Sequence, residues 1–95
     1  MSTLHIVNQT VASEAVKTCL SLALDGDSIL LIEDGVYACS QLSKLDLKGL
    51  TLYALREDLL ARGLSETALS DDIKMASYAD FVDLVCSHQR SVSWT

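Results

Sequence analysis

The chain has 95 residues, 49% hydrophobic and only 5% aromatic, with 7 Lys and Arg against 13 Asp and Glu for a formal net charge of −6. That balance, with its cations scattered singly, excludes direct nucleic-acid binding, which needs clustered Lys and Arg to neutralise phosphates. No apolar run approaches the roughly 20 residues of a membrane span and no basic segment leads into an apolar one at the start, which predicts a cytoplasmic protein with no membrane contact.

One domain over residues 1–95 is expected. A chain this small buries only roughly two-thirds of the surface its unfolded form exposes. Its core must be aliphatic, and the surplus of apolar residues predicts that part of it is covered by another subunit. Three cysteines at irregular spacing, without a Cys-x-x-Cys pair, indicate neither a disulfide framework nor a zinc site.

Thr3–Val7 reads as a first strand, in which His5 faces away from Leu4 and Ile6, and Asn8-Gln9-Thr10 is its polar exit. His5 in that place is a core-edge histidine with a satisfied hydrogen bond, ahead of a catalytic one. From Ser13 to Leu24, Ala15, Val16, Cys19, Leu20, Ala23 and Leu24 recur at helical spacing. Ser13 caps the start, and Gly26 is expected at the left-handed position that closes the helix. Cys19 shares a face with Ala12, Ala15, Val16 and Ala23, the pattern of a packed residue. Lys17, the nearby cation that could favour a thiolate, points to another side.

Ser28–Ile32 is an unbroken apolar run ending on Glu33-Asp34-Gly35. Such a run has no polar face and predicts a parallel strand covered on both sides. It places Glu33 and Asp34 at the carboxyl edge of the sheet, where open α/β folds keep their working surface. Turn formation is the simpler role for the two carboxylates. A binding crevice beside Asn8, Glu33 and Asp34 is the alternative. A short helical turn is predicted over Val36–Leu42 and a surface loop over Ser43–Lys48.

Leu50–Leu55 is a third buried strand. Arg56–Arg62 is a brief helix with Glu57 and Asp58 in its first turn, where the helix dipole favours negative charge, and Gly63 closes it. Ile73–Ala76 is a fourth strand. Ser77–His88 is a helix with Tyr78, Phe81, Val82 and Val85 on one stripe, and His88 suits its carboxyl end. Cys39, three residues after Val36, and Cys86, four after Val82, read as small buried hydrophobes. Ser91–Trp94 adds an edge strand.

Strands alternating with helices predict right-handed βαβ crossovers: a single-domain α/β fold with an open, mostly parallel sheet and helices on both faces. No glycine-rich phosphate loop follows a strand and no serine stands in a G-x-S-x-G turn, so nucleotide binding and serine hydrolysis are not indicated. Nothing calls for a cofactor or a metal.

Five blocks carry a resemblance: Leu4-His5-Ile6-Val7-Asn8, Leu30 through Ala38, Tyr53 through Leu64, Asp80-Phe81-Val82-Asp83-Leu84, and Trp94. Together, in this order and at this length, they resemble the TusB/DsrH family across the whole chain. The resemblance implies the DsrE/DsrF/DsrH-like fold. It also implies the smallest of three related subunits in a cytoplasmic heterohexamer, the others being TusC/DsrF-like and TusD/DsrE-like. Such complexes relay persulfide sulfur, in one branch through a downstream sulfur carrier to 2-thiouridine at the tRNA wobble position, in the other during oxidation of stored sulfur.

The main sulfur-accepting cysteine of these complexes belongs to the largest subunit. Cys19, in Thr18-Cys19-Leu20, matches the position where DsrH-type members carry a cysteine, which makes it the candidate persulfide carrier here. If it lies behind an apolar wall, the chain is instead an auxiliary scaffold and not an independent enzyme. A stand-alone α/β binding module is the remaining alternative.

Overall fold

The computed structural model describes residues 2–10, 13–39, 49–64 and 73–94. Among these, strands β1 (Thr3–Val7), β2 (Ser28–Leu31), β3 (Thr51–Leu55), β4 (Ile73–Ala76) and β5 (Arg90–Trp94) form one sheet. Its order is β4-β3-β2-β1-β5, and every pairing is parallel. Around it lie helices α1 (Glu14–Leu22), α2 (Arg56–Ala61) and α3 (Tyr78–Ser87), with a 3-10 segment over Glu33–Ala38. No helix among the described residues is long and apolar enough to cross a membrane.

The strand order decides which face each helix covers. From β1 to β4 each step moves one place in the same direction, so right-handed crossovers stack their connections on one face. The step from β4 to β5 runs back across the sheet and must use the other. The packing agrees. Val16 and Cys19 of α1, Val36 and Ala38 of the 3-10 segment and Leu59 of α2 share a core with Val7, Ile29, Leu31, Leu52 and Ala54. Phe81 and Leu84 of α3 pack on the opposite face, over Leu4, Leu30 and Ala76. All four residues of β2 are buried, as expected for a central strand covered on both sides.

The local signals for caps are met. The Ser13 side chain accepts from the Ala15 N–H. Ser77 and Asp80 exchange both bonds of a capping box at the start of α3. Gly63, at φ +71°, follows Arg62 at the end of α2 in the expected left-handed state. Gly26 is left-handed as well, at φ +88°. However, α1 already ends at Leu22 with Ala23 as its cap. Gly26 therefore shapes a separate turn, closed by the Asp27 N–H to the Leu24 carbonyl at 3.0 Å. The turn after β2 also starts earlier than Val36, because Glu33 itself takes φ +50° and bends the chain at once. The parts of the predicted Val36–Leu42 turn and Ser43–Lys48 loop from residue 40 to 48 lie outside the described residues.

Asp27, immediately before β2, ties three segments together. It is buried. Its Oδ1 accepts from the Thr3 N–H at 3.0 Å, and its Oδ2 accepts from the Leu24 N–H at 3.0 Å and faces His5 Nε2 at 2.9 Å. The other ring nitrogen of His5, Nδ1, accepts from the Trp94 indole N–H at 3.0 Å. Indole is a donor only, so His5 is the tautomer protonated on Nε2 and donates to Asp27. Burial pushes the Asp27 carboxyl up, but its bonds from His5, Leu24 and Thr3 outweigh that and hold it below its ordinary value.

Ser28, the next residue, points to the opposite face. There His88 Nδ1–H donates to the Leu84 carbonyl at 2.7 Å, and Nε2 hydrogen-bonds with the Ser28 hydroxyl at 2.8 Å. One dipeptide at the start of β2 thus holds a histidine on each face of the sheet. Both histidines have the satisfied structural environment that their positions suggested.

Two expectations follow. Asp27→Asn places an amide N–H against donors from Leu24 and His5, and the loss of these charge-assisted bonds should cost about 2–3 kcal/mol, read from denaturant melts. Because the folded-state pKa of Asp27 is lowered, its contribution is fully present above the unfolded value of about 3.9 and is lost as pH falls through the lower folded value. Asp27→Asn should flatten that acid limb. Separately, a Cβ at Gly35 would run into the carbonyl oxygen of Val7, so Gly35→Ala should lower stability by about 1–3 kcal/mol in the same melts.

Candidate functional site

Cys19 sits in the middle of α1, on the stripe that the helix buries. Its exposure is 0%, and Val7, Val16 and Ile29 belong to the same core. Burial pushes the thiol up to about 11, and the nearby Asp27 carboxylate adds to the effect. At pH 7 a group with that pKa is ionised in only about one molecule in ten thousand. The packing that the helical spacing suggested is therefore what the fold provides, in an electronegative corner that disfavours the nucleophilic form.

Cys39, at the end of the 3-10 segment, is also buried. Burial raises its thiol to about 11 despite an opposing hydrogen bond from its own backbone. Cys86 departs from the sequence reading: it is exposed. It lies one turn after Val82, as the spacing implied, but on the side of α3 that the sheet leaves uncovered. All three cysteines are free thiols.

At the carboxyl edge, the Glu33-Asp34 turn is held by α2. The Glu33 N–H donates to Asp58 Oδ2 at 2.7 Å. Arg62 reaches Asp34 at 3.2 Å and Asp58 at 3.7 Å. The Asp34 carboxylate thus ties the turn to α2 through Arg62, while Glu33 contributes its backbone amide, capped by Asp58. Gly35 brings the chain against the backbone of Val7 and Asn8, with its would-be Cβ 3.4 Å from Asn8 Cα. That close approach sets Asn8 beside the Glu33-Asp34 turn. The Asn8 Oδ1 is buried there without a hydrogen-bond partner among the described residues. No group of three or more His, Cys, Asp or Glu converges among those residues in a way that could hold a metal ion.

The largest chemical opportunity is an apolar surface. Helix α3 has no fully buried residue. Phe81 and Leu84 rest on the sheet, while Tyr78, Val82 and Val85 are 59%, 63% and 40% exposed. With Phe81 and Cys86 they line a shallow groove. Leu22 and Leu24 at the end of α1, Tyr37 in the 3-10 segment and Leu60 on α2 are also exposed. Periodicity marked the α3 stripe correctly but carried no information on how much of it the sheet would cover. Asp27 and Trp94 gave no sequence signal for their shared role, since their link through His5 spans the length of the chain.

Comparison with known proteins places this geometry. A family described as "DsrH like protein" matches residues 10–91. Protein TusB of Escherichia coli K12 is 36% identical over 95 residues, spanning 96% of this chain and 99% of its own. Protein TusB of Photorhabdus laumondii is 44% identical over 73 residues, 73% of this chain and 76% of its own. Among solved structures, the solution NMR structure of protein Tm0979 from Thermotoga maritima superposes with a TM-score of 0.69 at 28% identity, covering 87% of this chain and 90% of that one. By the extent of the family match and the near full-length similarity to TusB proteins, this chain belongs to the DsrH family.

Proposed function

We propose that this chain is a structural subunit of a heterohexameric sulfur-relay complex in the cytoplasm. It assembles with two paralogous subunits, one TusC/DsrF-like and one TusD/DsrE-like. The complex passes persulfide sulfur to a downstream carrier and toward 2-thiouridine at the tRNA wobble position. The observation that carries this reading is the DsrH-family match together with similarity to TusB proteins along nearly the whole chain. The relatives' shared TusB name favours the tRNA branch over sulfur oxidation.

The structural role rests on Cys19. In a thiol relay a thiolate attacks the terminal sulfur of a donor persulfide, the new S–S bond forms, and the donor leaves as a thiolate. The acceptor must therefore be both ionised and reachable. Cys19 is enclosed and held protonated. The exposed side of α3 supplies what a subunit needs instead: an apolar surface that water would leave unsatisfied in a monomer. The chain's net charge of −6 fits a role that does not touch tRNA.

Three results are expected. Complexes carrying Cys19→Ser should assemble and support wild-type levels of 2-thiouridine, measured by nucleoside mass spectrometry; loss of thiolation in an intact complex would make Cys19 the carrier instead. A thiol-alkylating reagent should label Cys86 of the folded free chain first and reach Cys19 and Cys39 only on unfolding. Val82→Glu should leave the melting curve within about 0.5 kcal/mol yet weaken co-elution with the paralogous subunits at least tenfold, about 1.4 kcal/mol. Unchanged co-elution would exclude this face from assembly.

A further inference from the structure

We propose that Trp94 and His5 form a pH-sensitive latch, which holds the Trp94 end of edge strand β5 on the sheet at neutral pH and releases it on acidification. The inference is independent of the sulfur-relay reading and rests on the geometry of three side chains.

Both ring nitrogens of His5 are used, in fixed roles. Nε2–H donates to Asp27 at 2.9 Å and Nδ1 accepts from the Trp94 indole at 3.0 Å. A proton added to the ring has one place to go, Nδ1. An imidazolium has two donors and no acceptor, so protonation sets an N–H of His5 against the N–H of Trp94. The same proton strengthens the other contact, because the Nε2–H bond to Asp27 becomes an ion pair. The ring therefore stays with β1 and Asp27, and the indole is the group that must move. The stacked ring centroids lie 6.1 Å apart, at the outer limit of cation–π attraction, so what opposes release is chiefly the partial packing of the indole against the core.

The charges around the ring do not cancel this effect. From the start of β2 the facing group is Asp27. On α1, Cys19 is buried in the core, while Glu14 and Lys17 are exposed and pair with each other at 3.7 Å. On β5 the charged residue is Arg90, which is in register with Thr3 and whose Nε donates to the Thr3 hydroxyl at 3.0 Å. Asp27 is thus the buried carboxylate beside His5 among the described residues. Strand β5 is also the part of the sheet best able to yield. It pairs with β1 alone, and only Val92 and Trp94 of its five residues are even half-buried.

The chain has a single tryptophan and two histidines, so the test has one reporter and one control. The full chain is titrated from about pH 8 to about pH 5, the range in which histidine charge changes. The indole N–H resonance and the tryptophan emission are followed, with backbone amides of β2 and β3 as a check on the fold. The expected result is a shift of the indole N–H and a red shift of the emission while those amides hold still. His88→Gln should preserve the transition and His5→Gln should abolish it. If His5→Gln does not fold, the wild-type and His88→Gln titrations decide the matter. An indole signal that stays fixed through the range, or a transition lost in His88→Gln, would overturn the latch.

Discussion

The carboxylate of Asp27 is the constraint on which the rest of this structure depends. It takes the Thr3 N–H at the head of β1, the Leu24 N–H after α1 and the His5 imidazole within β1, so it pins the closure of the first βαβ unit. A buried carboxylate is costly unless its oxygens are fully bonded, and here each oxygen has a partner. Through His5 the same group reaches Trp94, linking the edge strand β5 to the centre of the sheet. It also sets the character of Cys19, whose thiol is kept neutral by burial and by this negative charge. Fold, edge and thiol share one electrostatic centre.

That arrangement bears on how a cysteine is weighed in a protein of this family. Position in the sequence nominates Cys19 for sulfur chemistry, and its setting argues for packing. The two considerations are of different kinds. The resemblance implies where a thiol is expected; burial and charge bear on whether this thiol can become a nucleophile. Where the thiol is enclosed and its anion is opposed by a neighbouring carboxylate, the physical argument carries more weight. On the proposed reading, the subunit's contribution lies in its shape and in the apolar side of α3.

Much of the fold was legible in the sequence because its signals are local. Continuous apolar runs marked β2 and β3, Ser13 marked the start of α1, and the alternation of strands with helices implied the parallel order. The misplacements also have local causes. Gly26 was tied to the helix end because glycine favours that place, but the Asp27 anchor pulls Leu24 out of the helix first. Glu33 bends the chain in a conformation usually left to glycine, so the 3-10 segment begins before its apolar residues do. The candidate site was less legible. Which half of the α3 stripe the sheet covers, and hence that Cys86 is exposed, depends on packing between distant elements. The His5–Asp27–Trp94 chain joins residues 22 and 89 positions apart, a spacing that no periodic pattern encodes.

The central claim is that this chain completes a sulfur-relay assembly without itself holding sulfur. The most direct measurement is the intact mass of this subunit after the assembled complex has been loaded with a persulfide donor under non-reducing conditions. The account predicts that the partner subunits gain sulfur while this chain keeps its unmodified mass. A gain of one sulfur atom on this chain, at the peptide containing Cys19 or at that containing Cys86, would contradict it.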